Sequence, residues 1–306
     1  MKKILVIGSL NMDTVLEVPH QPQRGETLSG RSLALVPGGK GANQAYAAGK
    51  LGGSVAMIGA VGKDSAGDAL LENLRSVHVD VSGICQTEQA PTGQAFITVD
   101  DSGDNSIIII AGTNALVTEQ VIDDHLPLIR SCDIIVMQLE IPLETVMYAK
   151  ELARKLGKTV IVDPAPALPH IPDTFWQGID YIKPNETELS ILTGRRSESP
   201  EEIAASAGIL IEKGVKNVLV SLGEKGCMLV TPTGAEIFEA HKVQAVDTTA
   251  AGDSFTAAFA LALSQGKSAP QAIRFGQKVS AIAVTRKGAQ TSIPTPEEVE
   301  STFDSV

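Results

Sequence analysis

The sequence predicts an α/β protein: a doubly wound, mostly parallel sheet flanked by helices, carrying a small discontinuous β lid. Two observations predict the core. Short β-branched runs recur along the 306-residue chain without polar alternation, as in strands buried on both faces. Helical patterns separate most of them, the rhythm of a parallel sheet covered on each side. A third observation predicts small β units set apart from that core. In two places the rhythm gives way to paired β runs joined by polar turns containing Gly and Asp.

The elements follow in order. Ile4–Ile7 is a first strand ended by Gly8, too short for a signal-peptide core and without a cleavage site. Residues 11–18 and 28–36 form the first lid pair, 55–61 a core strand and 66–75 a helix. The second lid pair, 92–99 and 106–111, is joined by the turn Asp100-Asp101-Ser102-Gly103-Asp104-Asn105. Strand Ile134–Met137, helix 143–156, strands 160–162 and 181–183, helix 200–213 and strand 218–221 come next. Residues 227–230 and 236–240 suggest a late antiparallel edge. Phe255, Ala258, Phe259 and Ala262 have the i, i+3, i+4, i+7 spacing of a helix. No linker or repeat divides the chain. Residues 1–306 read as one domain, with its lid at about 11–37 and 92–112.

A formal charge of −11 and the absence of a Lys/Arg block argue against a nucleic-acid surface. An acidic protein that binds an anion must gather positive potential locally, from helix N-termini, backbone nests or a metal ion. No uninterrupted apolar stretch is long enough to span a bilayer. Cys85, Cys132 and Cys227 are odd in number and far apart, as in a reduced, cytoplasmic protein. The histidines fall in no zinc spacing.

Chemistry concentrates in a few segments. In Asp247-Thr248-Thr249-Ala250-Ala251-Gly252-Asp253, small residues lead into a helix start, where free N–H groups and the helix dipole form an anion site. Asp253 there either caps its own helix or takes a proton from a hydroxyl attacking a bound phosphoryl group. Gly38-Gly39-Lys40-Gly41-Ala42-Asn43 is a glycine turn before a helix. It is no P-loop, because GxxxxGK[ST] occurs nowhere in the chain. Asn11 and Asp13 follow the first strand, where α/β sheets hold ligands, and form either polyol contacts or an Asx turn. Glu140 ends the strand beginning at Ile134. Asn185 and Glu188 make a capping-box pair in Lys183-Pro184-Asn185-Glu186-Thr187-Glu188. Ser221-Leu222-Gly223-Glu224-Lys225-Gly226 is a tight turn, and Arg286-Lys287-Gly288-Ala289-Gln290-Thr291-Ser292 a polar one.

The four segments at 11–13, 38–43, 185–188 and 247–253 stand in the order found in the ribokinase-type carbohydrate kinases, which the chain resembles along essentially its whole length. The resemblance implies ATP-dependent phosphorylation of D-ribose at O5, giving D-ribose 5-phosphate. Deoxyribose, a ketose or a nucleoside are alternative acceptors. A sugar- or nucleotide-binding protein without turnover is the second class, and an intact Gly252-Asp253 speaks against it. By the same resemblance Asp253 is the base, and the backbone of Ala250, Ala251, Gly252 and Asp253 is the anion hole. Asn11, Asp13, Gly39, Lys40, Gly41, Asn43 and Glu140 face the sugar. Asn185, Ser221, Gly223, Lys225, Gly226, Gly252 and Gln277 lie along the nucleotide. Glu188 acts through water on Mg²⁺. Asp247 and Thr249, with Ala283, Arg286, Gly288 and Ser292, hold an activating K⁺. The lid closes over the sugar and pairs with the lid of a second subunit. The family often has Gly where this chain has Ala250, a change of little consequence unless φ is positive there.

Overall fold

The computed structural model describes residues 2–303. In chain order its strands begin with β1 (Ile4–Ile7), β2 (Asn11–Glu17), β3 (Ser32–Gly38), β4 (Val55–Gly62), β5 (Asp80–Thr87), β6 (Gly93–Val99) and β7 (Asn105–Ile110). They continue with β8 (Ile134–Met137), β9 (Thr159–Val162), β10 (Tyr181–Ile182), β11 (Asn217–Ser221), β12 (Cys227–Thr231) and β13 (Gly234–Phe238). The large sheet runs β13-β12-β11-β10-β9-β8-β1-β4-β5, parallel except for the antiparallel β11-β12-β13 edge. Mixed α/β architecture with a mostly parallel sheet is what the residue pattern predicts.

Both sheet faces are buried for a simple reason. Successive strand residues point to opposite sides, so Ile4 and Val6 enter one core while Leu5 and Ile7 enter the other. β8 divides the same way, Ile134 and Val136 against Ile135 and Met137. Helices Lys40–Lys50 and Ala251–Ser264 cover the first core with small residues such as Ala45, Ala48, Ala258 and Ala262. Helices Leu143–Lys155 and Pro200–Glu212 cover the second through Val146, Ala149 and Ala153, and Ile203, Ala207 and Leu210. Each fully buried Ile, Val or Leu contributes roughly 1.5–3 kcal/mol. No described helix is long and apolar enough to cross a membrane.

Two features depart from the sequence reading. β5 extends the sheet at its far edge although its burial is mixed, since one side of an edge strand remains open to solvent. The two lid pairs are joined: β2 pairs in parallel with β6, giving one four-stranded sheet in the order β3-β2-β6-β7. The chain goes from β1 to β4 and β5 on one side, then returns to β8 on the other. That reversal opens a crevice beyond the ends of β1 and β8, where α/β sheets place their ligands.

Candidate active site

The residues after β1, β8, β9 and β10 meet the starts of two helices at this crevice. Helix Ala251–Ser264 begins from Ala250 at φ 57° and ψ 13°. This left-handed conformation costs a non-glycine residue on the order of 1–2 kcal/mol. The positive φ is the condition under which Ala in place of Gly matters. Ala251 N–H donates to Thr248 O at 3.2 Å, and the helix ladder opens with Ser254 N–H to Ala250 O at 2.8 Å. Among the described residues no acceptor takes the N–H groups of Gly252 and Asp253. The Ala250 N–H is unclaimed as well, so three of the four loop donors are free and only that of Ala251 is taken.

The Asp253 carboxylate is buried at the same turn, 6% exposed. It accepts Asn43 Nδ2 on one oxygen at 3.1 Å and Gln44 Nε2 on the other at 3.0 Å. Both donors ride on helix Lys40–Lys50, which starts at Gly39 with φ 86°. A Cβ on Gly41 would lie 2.6 Å from Ser9 N, so only glycine lets this helix sit against the chain leaving β1. The close approach of Gly41 is thus to the protein's own backbone. Gln290 Nε2 donates to Asn43 Oδ1 at 3.0 Å, and Asn73 Nδ2 donates in turn to Gln290.

Acidic groups gather beside Asp253. Ser9 Oγ and Lys40 N–H donate to Glu140 Oε2 at 2.5 and 3.0 Å. Burial raises the Glu140 carboxyl above its ordinary range, Asp253 adds to the rise, and Lys40 opposes it. Asp13 is pushed up to about 7, first by burial, then by Glu140 and Asp253. Its Oδ1 is buried without a hydrogen-bond partner. An orphaned acceptor of this kind is expensive unless a ligand hydroxyl reaches it. Asn11 already takes a hydrogen bond on Oδ1 from Asn114 Nδ2 at 2.7 Å. Asp253 holds the Lys40 ammonium above its ordinary range, with Asp163 and Glu140 adding to the effect against burial.

A polar network below the site has no counterpart in the sequence reading. Gln44 Nε2 bridges Asp253 to Asp163 Oδ2 at 2.9 Å, and Gln138 Nε2 fixes Gln44 Oε1 at 2.6 Å. Lys183 Nζ lies 3.5 Å from Asp163 Oδ2, both side chains buried. Asp163 follows β9 directly and Lys183 follows β10. A charge ending a buried strand is the signal that singled out Glu140, and it applies equally to these two.

The model of the pfkB family carbohydrate kinases matches residues 1–296. The chain belongs to this family. A Haemophilus influenzae protein named ribokinase is 42% identical, with 97% of each chain covered. A Salmonella typhi protein named deoxyribokinase is 38% identical, with 96% of each covered. The structure of Arabidopsis thaliana ribokinase complexed with ribose and ATP is 36% identical, covers 98% of each chain and superposes with a TM-score of 0.92.

The other candidate residues of this pfkB family chain fall into two places. Asn185 bridges to Ser221, and Ser221 N–H donates to Pro184 O at 3.0 Å, so these two segments are neighbours. Asn185 and Glu188 form the capping box, with Glu188 N–H to Asn185 Oδ1 at 2.7 Å and Asn185 N–H to Glu188 Oε2 at 2.8 Å. Gly223 and Gly226 both have positive φ in the turn around Lys225. Gln277 is buried, its amide given to Phe238 O at 2.8 Å and near Cys227 Sγ at 3.7 Å. On the other side, Asp247 Oδ1 accepts Thr249 N–H at 2.9 Å and Oδ2 accepts Gly288 N–H at 2.8 Å. These bonds lower the Asp247 carboxyl although burial works the other way. Arg286 pairs with Glu298 at 2.9 Å, while its N–H donates to Ala283 O. Ser292 is buried and donates to Ala289 O. Among the described residues no cluster of three His, Cys, Asp or Glu side chains could hold a metal by itself.

Proposed function

We propose that this protein is an ATP-dependent sugar kinase that phosphorylates D-ribose at O5. The observation that carries the reading is the buried Asp253 carboxylate at a helix start beside three unclaimed N–H groups, those of Ala250, Gly252 and Asp253. A negative group beside an anion site has a purpose if it receives the proton of an attacking hydroxyl. In that step the sugar oxygen bonds to the γ-phosphorus while the bond from γ-phosphorus to the β–γ bridging oxygen breaks. The hydroxyl proton goes to Asp253 and the electron pair of the broken bond leaves with ADP. The Gly252 and Asp253 N–H groups stabilise charge on the group in flight. Asp13 and Glu140 accept sugar hydroxyls, with Lys40 and Asn43 beside them.

Relatives support ribose as the acceptor, and deoxyribose is the closest competitor. Mg²⁺ on the ATP phosphates would supply charge neutralisation, and Asn185 and Glu188 would hold it through water. The capping box occupies Glu188 Oε2 and leaves Oε1 as the remaining acceptor, a fit for a hydrated Mg²⁺. Asp247 and the carbonyls around Thr249, Ala283, Arg286, Gly288 and Ser292 offer the oxygen donors that suit a monovalent cation such as K⁺. Such an ion would neutralise Asp247 and steady the anion loop.

The four-stranded sheet would serve as a lid. Paired residues share a face: Asp13, Val36, Ala95 and Ile109 form one row, and Leu35, Thr14, Phe96 and Ile108 a row on the opposite face. Leu35 and Ile108 are 64% and 66% exposed, and a second copy would cover them in a homodimer. ADP release tests the whole reading, measured with ribose, deoxyribose, fructose and a nucleoside, in potassium and in sodium, with and without magnesium. Highest kcat/KM for ribose, dependent on magnesium and faster in potassium, is the expected result. No release with any sugar rejects the kinase, and equal rates in both salts remove the cation alone.

A further inference from the structure

Lys183 is a buried ammonium whose donors its neighbours do not use. Its Nζ stands 3.5 Å from Asp163 Oδ2, longer than a charge-assisted hydrogen bond of about 2.7–2.9 Å. That oxygen takes its hydrogen bonds from Gln44 Nε2 at 2.9 Å and Thr256 Oγ1 at 3.4 Å instead. On the other side, a Cβ placed on Gly252 would lie 3.4 Å from the same Nζ. The ammonium therefore faces the first turn of helix Ala251–Ser264, whose Gly252 and Asp253 N–H groups have no acceptor. A cation out of water beside the positive end of a helix is unfavourable on two counts, desolvation and the dipole. Asp163 offsets part of this. An anion lodged between Nζ and the two N–H groups satisfies all three donors together.

We propose that Lys183 is a further catalytic residue, its ammonium contacting an oxygen of the transferring γ-phosphoryl group. Asp163 is a positioning residue that orients Lys183, and Gln44 ties Asp163 to the base Asp253. Lys183 moves no proton in this role; it stabilises negative charge while the proton passes to Asp253. The assignment rests on the phosphoryl-transfer reading above. Asp253, Asp163, Glu140 and Glu188 all favour the charged form of Lys40, the other ammonium of the site.

The test compares the full-length parent with Lys183→Met, Lys183→Arg and the double variant Asp163→Asn/Lys183→Met. Turnover at saturating ATP and ribose, ribose Kd by calorimetry, and Tm are measured for each. Loss of one preorganised donor predicts a kcat about 10²–10³ lower for Lys183→Met, a ribose Kd within about twofold of the parent, and partial rescue by Lys183→Arg. The double variant removes both members of the ion pair, so its Tm should return toward the parent while kcat remains low. An active parent whose Lys183→Met or double variant turns over at a similar rate overturns the proposal and leaves the kinase reading standing. A parent that releases no ADP with any sugar rejects the kinase reading itself.

Discussion

Asp13 shares its pocket with two other acids, and in the proposed sugar site this would make sugar binding sensitive to pH. Burial, Glu140 and Asp253 raise its carboxyl from 3.8 to about 7. Between those values the folded protein holds a proton that the unfolded chain has released, so this group's contribution to stability falls as pH climbs from about 4 to about 7. Sugar hydroxyls need the carboxylate as acceptor, and the proton competes with them. KM for the sugar should rise roughly tenfold per pH unit below about 7, while Asp13→Asn gives a high, flat KM. A pH-independent KM in the parent would contradict this. At Asp253 the expected effect is on rate: Asp253→Asn should lower kcat by about 10²–10⁴ with sugar affinity retained by calorimetry. Near-parental turnover in a folded variant would remove Asp253 as the base. Motif spacing made Asp253, Asp13, Lys40 and Asn43 visible in the sequence. Asp163 and Lys183 carried only the strand-end charge that also marks Glu140, and Gln44 was not visible, because what singles it out is contact across the fold. Gln44 lies 119 residues from Asp163 and 209 from Asp253 in sequence.

Helix Lys40–Lys50 shows how an element carries the site. Its glycines at 39 and 41 set the seat, and its next turn presents Asn43 and Gln44 to the base. Gly41→Ala would drive a methyl into the Ser9 backbone, an overpacking that costs typically 1–3 kcal/mol. The helix should lift rather than unfold, so kcat should drop by at least tenfold while Tm falls by only a few degrees. An unchanged kcat would show that the seat is not rigid. Elements apolar on both faces, such as β1, β4 and β8, were legible because their composition differs from everything around them. β5 was not, since Gly83 and several polar residues interrupt its run at an open edge. The parallel pairing of β2 with β6 was equally hidden, because register between segments so far apart is set by the turns and layers around them.

For the molecule as a whole, the four-stranded sheet is the least self-sufficient part. Leu33, Leu35, Phe96 and Ile108 lie exposed on one face of it, and contiguous apolar surface of that kind marks interaction sites. Ile108→Lys should convert a dimer into monomers in sedimentation and raise the sugar KM through a looser lid, with Tm changed little. A parent that is monomeric and active at assay concentration would rule the dimer out. The contacts that finish the site also come from opposite ends of the chain. Gln290 secures Asn43, which secures Asp253. During synthesis Asp13, Glu140 and the large sheet are complete before this amide leaves the ribosome. Without Gln290, Asn43 would keep its bond to Asp253 but lose the donor that fixes its Oδ1. The setting of Asp253 thus depends on a segment made after it, through the Gln290 amide that holds Asn43.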